Sequence, residues 1–285
     1  MKRGKSLDRV RIVVTRPKTQ AAPLTSRLRE LGAKVRAAPA IRIVDPHSWS
    51  GLDAALKRLD RYDAVIFTSA NAVDRFFRRA RHVLKTRLRP PRRLFAIGPA
   101  TARALRTCGW RGVGIPDRYE GAALARRIQA RRGSRILLPR ARRARETLPR
   151  HLRHRGAIVD VIEAYRTIAH PSGLRAIRRE LEMGADYVTF TSSSTAEHLI
   201  GALGRFRAGR LFRSIAAASI GPVTSATLRR LGIRNIVQAN PFTSEGIVRA
   251  IVAHHAKRRD QRHARGLRAG DRRRGGERGG RLARR

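Results

Sequence analysis

Two apolar runs of this 285-residue chain end in the same hydroxyl-rich turn, IFTSANAV at 66–73 and VTFTSSST at 188–195. Two others end in the same Gly-Pro turn, AIGPATA at 96–102 and SIGPVTS at 219–225. Where a strand hands over to a helix, a Ser or Thr caps the helix or hydrogen-bonds a ligand. A glycine lets another backbone or a ligand come close, and a proline suits the first helical turn, where no N–H partner is lost. The free N–H groups and the positive end of the helix dipole make each turn an anion receptor. It is worth about 0.3–1 kcal/mol per charge when exposed and up to about 2 kcal/mol when partly buried. One turn binds little. Four of them, two per domain and facing one another across a cleft, would grip a large molecule bearing several carboxylates.

The elements that must hold those turns follow from hydropathy. Strands are predicted over 10–15, 34–43, 64–68, 94–97, 112–115, 135–138, 157–165, 187–191, 216–220 and 235–238. Most are short, β-branched and apolar on both faces, the pattern of parallel strands covered by helices. Helices predicted over 101–108 and 224–231 stop at Gly109 and Gly232, the usual terminating residue. The class is α/β. Self-comparison then matches 11–43 with 135–167, 63–73 with 186–196, 96–109 with 219–232, and YEGAALARRI (119–128) with SEGIVRAIVA (244–253), in order and at offsets of 123 to 125. A repeat of about five strands is a domain rather than a solenoid unit, so the chain holds two similar α/β domains. Taken alone, the tandem repeat suggests a cut near residue 133.

Composition narrows the classes. A hydrophobic content of 41% supports real cores. Cys108 is the single cysteine, which excludes an intramolecular disulfide and a Cys-rich metal site and suits a reducing cytoplasm. No apolar run approaches the roughly 18 residues of a membrane span, and no targeting segment is expected. Net charge is +45. Residues 257–285 carry 13 basic and 3 acidic side chains, which still leaves +35 on residues 1–256. That Gly- and Arg-rich tail reads as disordered. The field concentrates anions of any kind without choosing among them, and a genome that favours Arg over Lys raises the Arg count with no function attached. His151 with His154 and His254 with His255 have no carboxylate or Cys set to complete a metal site, so they read as exposed helix histidines and no metal is expected. Asp160 and Glu163, at odd spacing on one strand, face opposite sides and form no local acid/base pair. Neither GxGxxG nor a Walker sequence is present, so nucleotide binding has no support. Trp49 and Trp110 read as packing residues.

An ordered set of motifs resembles the uroporphyrinogen-III synthase family. It comprises VVTRP (13–17), IFTSANAV (66–73), AIGPATA (96–102), LLPRA with RETL (137–148), VIEAYRTIAHP (161–171), VTFTSSST (188–195) and SIGPVTS (219–225). The likeness covers about residues 10–255; each motif alone is common chemistry, and the ordered set is what distinguishes the family. The resemblance implies two similar flavodoxin-like parallel-sheet domains joined by a two-stranded linker at 37–44 and 163–169. One domain would be discontinuous, 1–38 plus 172–257, the other would be 39–171, and the 258–285 tail lies outside the family pattern.

The resemblance also implies an activity, the conversion of hydroxymethylbilane, a linear tetrapyrrole with eight carboxylates, into uroporphyrinogen III. Hydroxide leaves the terminal hydroxymethyl carbon with help from a proton donor, and the far ring attacks through its substituted carbon. The resulting spiro intermediate reopens and recloses with that ring inverted, and water is lost without redox, metal or cofactor. Because the substrate also cyclises unaided to the non-inverted isomer, the enzyme's task is positioning. Tyr165 matches the family tyrosine at the end of the linking strand and is the candidate acid, since a phenol near pKa 10 is protonated at neutral pH. Ser69, Thr101, Ser192, Ser194 and Thr224 match hydroxyl positions that would bind acetate and propionate groups with the amides of Gly98 and Gly221. Arg16 and Arg140 end equivalent strands and would pair with carboxylates bidentately. Where the family usually has glycine after Pro-Arg, this chain has Ala141, then Arg142 and Arg143, which sets the Arg140 loop apart. The partners implied are the tetrapyrrole and, transiently, the enzyme that makes it. The reading is of a monomer with no membrane and only weak, tail-driven nucleic-acid contact. Two alternatives stay open on the residues alone: a nucleic-acid-binding protein using the basic surface, and a phosphosugar-binding isomerase or sensor.

Overall fold

A computed structural model describes residues 6–84 and 88–278. Its elements begin with β1 (Arg11–Val14), α1 (Lys18–Glu30), β2 (Lys34–Ala37) and β3 (Ile41–Val44). They continue with α2 (Ser50–Lys57), β4 (Ala64–Phe67), α3 (Ala70–Val83), β5 (Arg93–Ala96), α4 (Pro99–Thr107), β6 (Val113–Gly114), α5 (Gly121–Ile128), β7 (Arg135–Ala141), α6 (Thr147–His154) and β8 (Ile158–Ala169). The chain closes with α7 (Pro171–Glu182), β9 (Tyr187–Phe190), α8 (Ser193–Leu203), α9 (Arg205–Leu211), β10 (Ala216–Ser219), α10 (Pro222–Arg230), β11 (Ile236–Gln238) and α11 (Ser244–Arg278).

The strands form a five-stranded sheet in the order β11-β10-β9-β1-β2 and a six-stranded sheet in the order β3-β8-β7-β4-β5-β6. Every pairing in the first is parallel, as are those joining β8, β7, β4, β5 and β6 in the second. The α/β class follows from strands such as β4 and β9, whose four residues are all buried. The predicted strand 34–43 is in fact two: β2 belongs to one sheet and β3 to the other. Pro39, between them, has no N–H for a ladder, while Ala38 and Ala40 donate instead to the carbonyls of Val14 and Thr15.

By its internal contacts the chain divides into two compact units. One is Ile43–Ile168; the other takes the chain up to Arg42 and again from Ala169. Side chains alternate across each sheet. In the discontinuous unit, Val13, Val188 and Ala217 pack with Leu199, Ile200 and Leu228 on one face, and Ile12, Val14 and Tyr187 with Leu24, Leu28, Ile247 and Ile251 on the other. In the continuous unit, Val65, Phe67 and Leu137 face Phe76 and Leu105, whereas Ile66, Ile136 and Leu138 face Leu124 and Leu152. Each such fully buried side chain stabilises the fold by about 1.5–3 kcal/mol. Trp110 packs edge-on to Phe77 at 4.8 Å, and Trp49 lies under the Arg79 guanidinium at 5.2 Å, so both tryptophans are packing residues.

Helix α11 runs past residue 257 to Arg278, into the stretch expected to be disordered; residues 279–285 of that stretch lie outside the described residues. Extending an existing helix avoids the cost of nucleation, and Arg, Ala, Lys and Gln are competent helix formers. No described helix is long and apolar enough to cross a membrane.

Candidate active site

The two hydroxyl turns are built alike. Ser69 follows β4 in extended backbone, φ −160° and ψ 150°, and its Oγ accepts from the N–H of Ala72 at 3.1 Å. Ser192 follows β9 at φ −161° and ψ 156°, and its Oγ accepts from the N–H of Thr195 at 3.2 Å. Each serine therefore caps the helix that follows, which satisfies one of the unpaired N–H groups of the first turn. What else each serine touches differs. Ser192 Oγ shares hydrogen bonds with Ser194 Oγ at 3.0 Å and Thr195 Oγ1 at 2.9 Å, whereas Ser69 Oγ lies 3.0 Å from the phenol oxygen of Tyr165.

Tyr165 owes that contact to a break in the sheet register. Along β7 and β8, Arg140 pairs with Glu163 and Ala141 pairs with Tyr165, so Ala164 is an extra residue on its strand. Consecutive residues of a strand normally face opposite ways; here Ala164 and Tyr165 both pack into the core that contains Phe67 and Leu137. A bulge of this kind re-aims a side chain. The ring is 7% exposed. Burial pushes the phenol above its ordinary value near 10, against the smaller pull of hydrogen bonds from Ser69 and Asn71. It is thus a neutral hydroxyl at pH 7, its oxygen held in place by Ser69 and Asn71.

The Gly-Pro turns repeat with similar fidelity. Gly98 and Gly221 sit in fully extended backbone before Pro99 and Pro222, the first residues of α4 and α10. Thr101 and Thr224 lie in the first turns, each 4% exposed, and neither hydroxyl has a hydrogen-bond partner among the described residues. Among the described residues, the fully buried hydroxyls without a partner are those of Thr25 and Thr189; the Thr101 and Thr224 oxygens reach the surface, where both have hydrogen-bonding capacity to offer a ligand. The approach expected at the two glycines is already taken by the protein's own side chains. A Cβ at Gly98 would lie 3.3 Å from the Tyr119 ring, and one at Gly221 would lie 3.2 Å from the Phe242 ring.

The two arginines, equivalent by the repeat, have different surroundings. Arg16 is half-buried and its Nη1 donates to Ser244 Oγ at 3.0 Å; burial lowers its pKa, though a guanidinium remains charged. Among the described residues it has no carboxylate partner. Arg140, 7% exposed, donates to the carbonyl of Arg145 at 2.9 Å and to Glu146, and that hydrogen bond holds the Glu146 carboxyl below its usual range. Arg140 is satisfied by its own loop.

Of the remaining histidines singled out, His151 and His154 are exposed on α6. His254 is not: it is half-buried, with Nδ1 2.9 Å from the Tyr187 hydroxyl. No group of three or more His, Cys, Asp or Glu suited to a metal occurs among the described residues. Sequence reasoning missed Asn71, Ser244, Tyr119 and Phe242. The last two were hidden by register. Matching YEG with SEG set Tyr119 opposite Ser244, while the structure gives Tyr119 and Phe242 the same place at an offset of 123, with Thr243 and Ser244 as two extra residues before the Glu-Gly pair.

Repetition of one strand-end design in both units, with the polar groups gathered where parallel strands give way to helices, defines an α/β protein whose strand ends present amides and hydroxyls. A family model described as uroporphyrinogen-III synthase HemD matches residues 22–249, and the chain belongs to the uroporphyrinogen-III synthase family. It is 32% identical over 251 residues to a uroporphyrinogen-III synthase of Synechococcus elongatus, covering 84% of this chain and 93% of the relative. It is also 32% identical over 247 residues to a putative uroporphyrinogen-III synthase of Methanothermobacter thermautotrophicus, covering 84% and 96%. A mutant uroporphyrinogen III synthase from the extremely thermophilic bacterium Thermus thermophilus shares the fold, with a TM-score of 0.66 at 18% identity over 87% of this chain and 99% of that one.

Proposed function

We propose that this chain cyclises hydroxymethylbilane to uroporphyrinogen III, with Tyr165 as the acid that assists hydroxide loss. The observation that carries this reading is the buried, neutral Tyr165 hydroxyl 3.0 Å from the Ser69 cap, in a chain whose family model spans residues 22–249. Ser69 and Asn71 orient the phenol. The Tyr165 proton meets the departing hydroxide, water leaves, and the pyrrole nitrogen lone pair fills the electron-poor carbon. Attack by the substituted carbon of the far ring forms the spiro intermediate. Reopening and reclosure of that ring, with loss of one proton, give the inverted product. General acid assistance of this kind supplies about 10²–10⁴-fold; positioning supplies the rest.

In this reading the turn set of each unit takes some of the eight carboxylates. Thr101 and Thr224 donate their unpaired hydroxyls, the first-turn amides after Gly98 and Gly221 add theirs, and Ser194 serves beside Ser192. Arg16 contributes a charge-assisted contact, whereas Arg140 organises the loop through Glu146. The two units act as domains, 1–38 with 172–257 and 39–171, linked by the strand pair at 37–44 and 163–169. The protein works as a cytoplasmic monomer, receives its unstable substrate by transient contact with the enzyme that makes it, and attracts nucleic acid only weakly through residues 258–285. The test is to supply fresh hydroxymethylbilane, oxidise the products and separate the uroporphyrin isomers. An excess of isomer III over the protein-free control is expected; isomer I alone from folded protein would overturn the reading.

A further inference from the structure

Five large apolar side chains are exposed among the described residues, and two of them occupy the same place in the two halves of the repeat: Tyr119, 45% exposed, and Phe242, 44% exposed. The contacts agree almost atom for atom. A Cβ on Gly98 would lie 3.3, 3.4 and 3.6 Å from Cγ, Cδ1 and Cβ of Tyr119, and one on Gly221 would lie 3.2, 3.4 and 3.5 Å from the same atoms of Phe242. Each ring rests on a glycine that has no side chain to push it away, and each leaves nearly half its surface to solvent. Neither ring belongs to a core cluster. Packing does not require them, because any apolar residue would cover a glycine. Keeping a flat aromatic half-exposed at both positions is instead what a ligand with flat faces would use.

The surroundings say which ligand. Next to each ring runs the first turn of a nine-residue helix, with unpaired N–H groups and an otherwise buried threonine, Thr101 or Thr224, whose hydroxyl reaches the surface and has no partner among the described residues. An apolar face beside anion-seeking donors suits an aromatic heterocycle carrying short carboxylate arms. Resting on the function proposed above, we infer that Tyr119 and Phe242 contact pyrrole rings of the tetrapyrrole, one in each unit, while the adjacent turn holds that ring's acetate or propionate. The hydroxyl turns and Arg16 recognise charge, which all four pyrroles share; the aromatic rings fix the plane of a pyrrole. That plane governs which carbon of the far ring is presented, so these two residues bear on the choice between isomers III and I.

The experiment compares Tyr119→Leu, Phe242→Leu and the double variant, which keep bulk over the glycines and remove the flat face. KM, kcat, the isomer III fraction and the thermal midpoint are measured on the full chain. Each single variant is expected to raise KM about 2- to 10-fold, with kcat less affected. The double variant is expected to multiply the two effects and to lower the isomer III fraction as released substrate cyclises unaided. The exchanges Tyr119→Phe and Phe242→Tyr, which retain a ring, reverse most of the rise. Leucine variants with wild-type KM and isomer fraction, whether or not the midpoint falls, would show that the rings only cover their glycines. Wild-type protein is read first in the same assay. Isomer III from it with unaffected variants sinks this inference alone, whereas isomer I only sinks the proposed reaction and this inference with it.

Discussion

The two units carry the same backbone design to opposite chemical ends. In the continuous unit the strand-end serine, Ser69, meets a phenol, and the strand-end arginine, Arg140, is neutralised by Glu146. In the discontinuous unit Ser192 meets only other hydroxyls, and Arg16 keeps its charge with no carboxylate partner among the described residues. The residue that the repeat aligns with Tyr165 is Ile41, 5% exposed and packed among Phe190 and Ile177. Duplication preserved the parts that fold, namely cap geometry, Gly-Pro turns and covering rings. The side chains around those parts diverged, so that in the proposed reaction one unit offers a proton and the other a cation.

The sharpest way to break that comparison is to remove the proton. Tyr165→Phe is expected to lower kcat for isomer III about 100-fold with the thermal midpoint nearly unchanged; wild-type turnover would remove the acid role. Next comes the cation. Arg16→Gln is expected to raise KM about 10-fold, the size of a lost charge-assisted contact, while Arg140→Gln affects KM less and stability more, because it frees Glu146 and the 140–146 loop. Equal KM effects would mean that the units are chemically alike after all. The serines should separate by type of effect. Ser69→Ala and Ser192→Ala each remove a cap worth about 1 kcal/mol, visible as matched losses in denaturant midpoint, but Ser69→Ala alone should also lower kcat, since it releases the Tyr165 phenol.

Alkaline pH tests where the units remain alike. Tyr62, in the continuous unit, and Tyr187, in the discontinuous one, are each pushed up to about 12, chiefly by burial. A folded-state pKa raised above the unfolded value near 10 means stability that is intact below about pH 10 and lost as pH climbs through about 12. The thermal midpoint should fall across that window, and Tyr62→Phe or Tyr187→Phe should make the fall shallower. The smallest effect expected is from ending the chain at His255, which removes only residues outside the proposed site and should leave turnover unchanged.

Strand-end chemistry was legible because turns announce themselves: hydroxyl caps and Gly-Pro pairs are local, and their repetition at a fixed offset singled them out. The class was legible for the same reason, since short runs apolar on both faces have few other homes. What escaped notice depends on distances the sequence does not carry. The split of 34–43 at Pro39 required knowing that one strand run serves two sheets. The bulge at Ala164 turns Tyr165 toward Ser69, yet a strict alternation along 157–165 gives no hint of it. Arg140 and Glu146 are six positions apart, a spacing with no fixed geometry outside a helix. Tyr119 and Phe242 were lost to a two-residue shift between the copies, which only the shared contact with glycine revealed.

The sheet order β11-β10-β9-β1-β2 has a consequence for synthesis. β1 sits between β2, made at once, and β9, made some 170 residues later. On the ribosome, residues 43–168 can finish folding while the first 42 residues still lack the partners that bury Ile12, Val13 and Val14. The nascent chain must therefore keep one edge of β1 open until β9 has emerged. Each polysome then carries several half-paired β1 segments at once, and misassembly between neighbouring chains is a hazard written into the order of the strands.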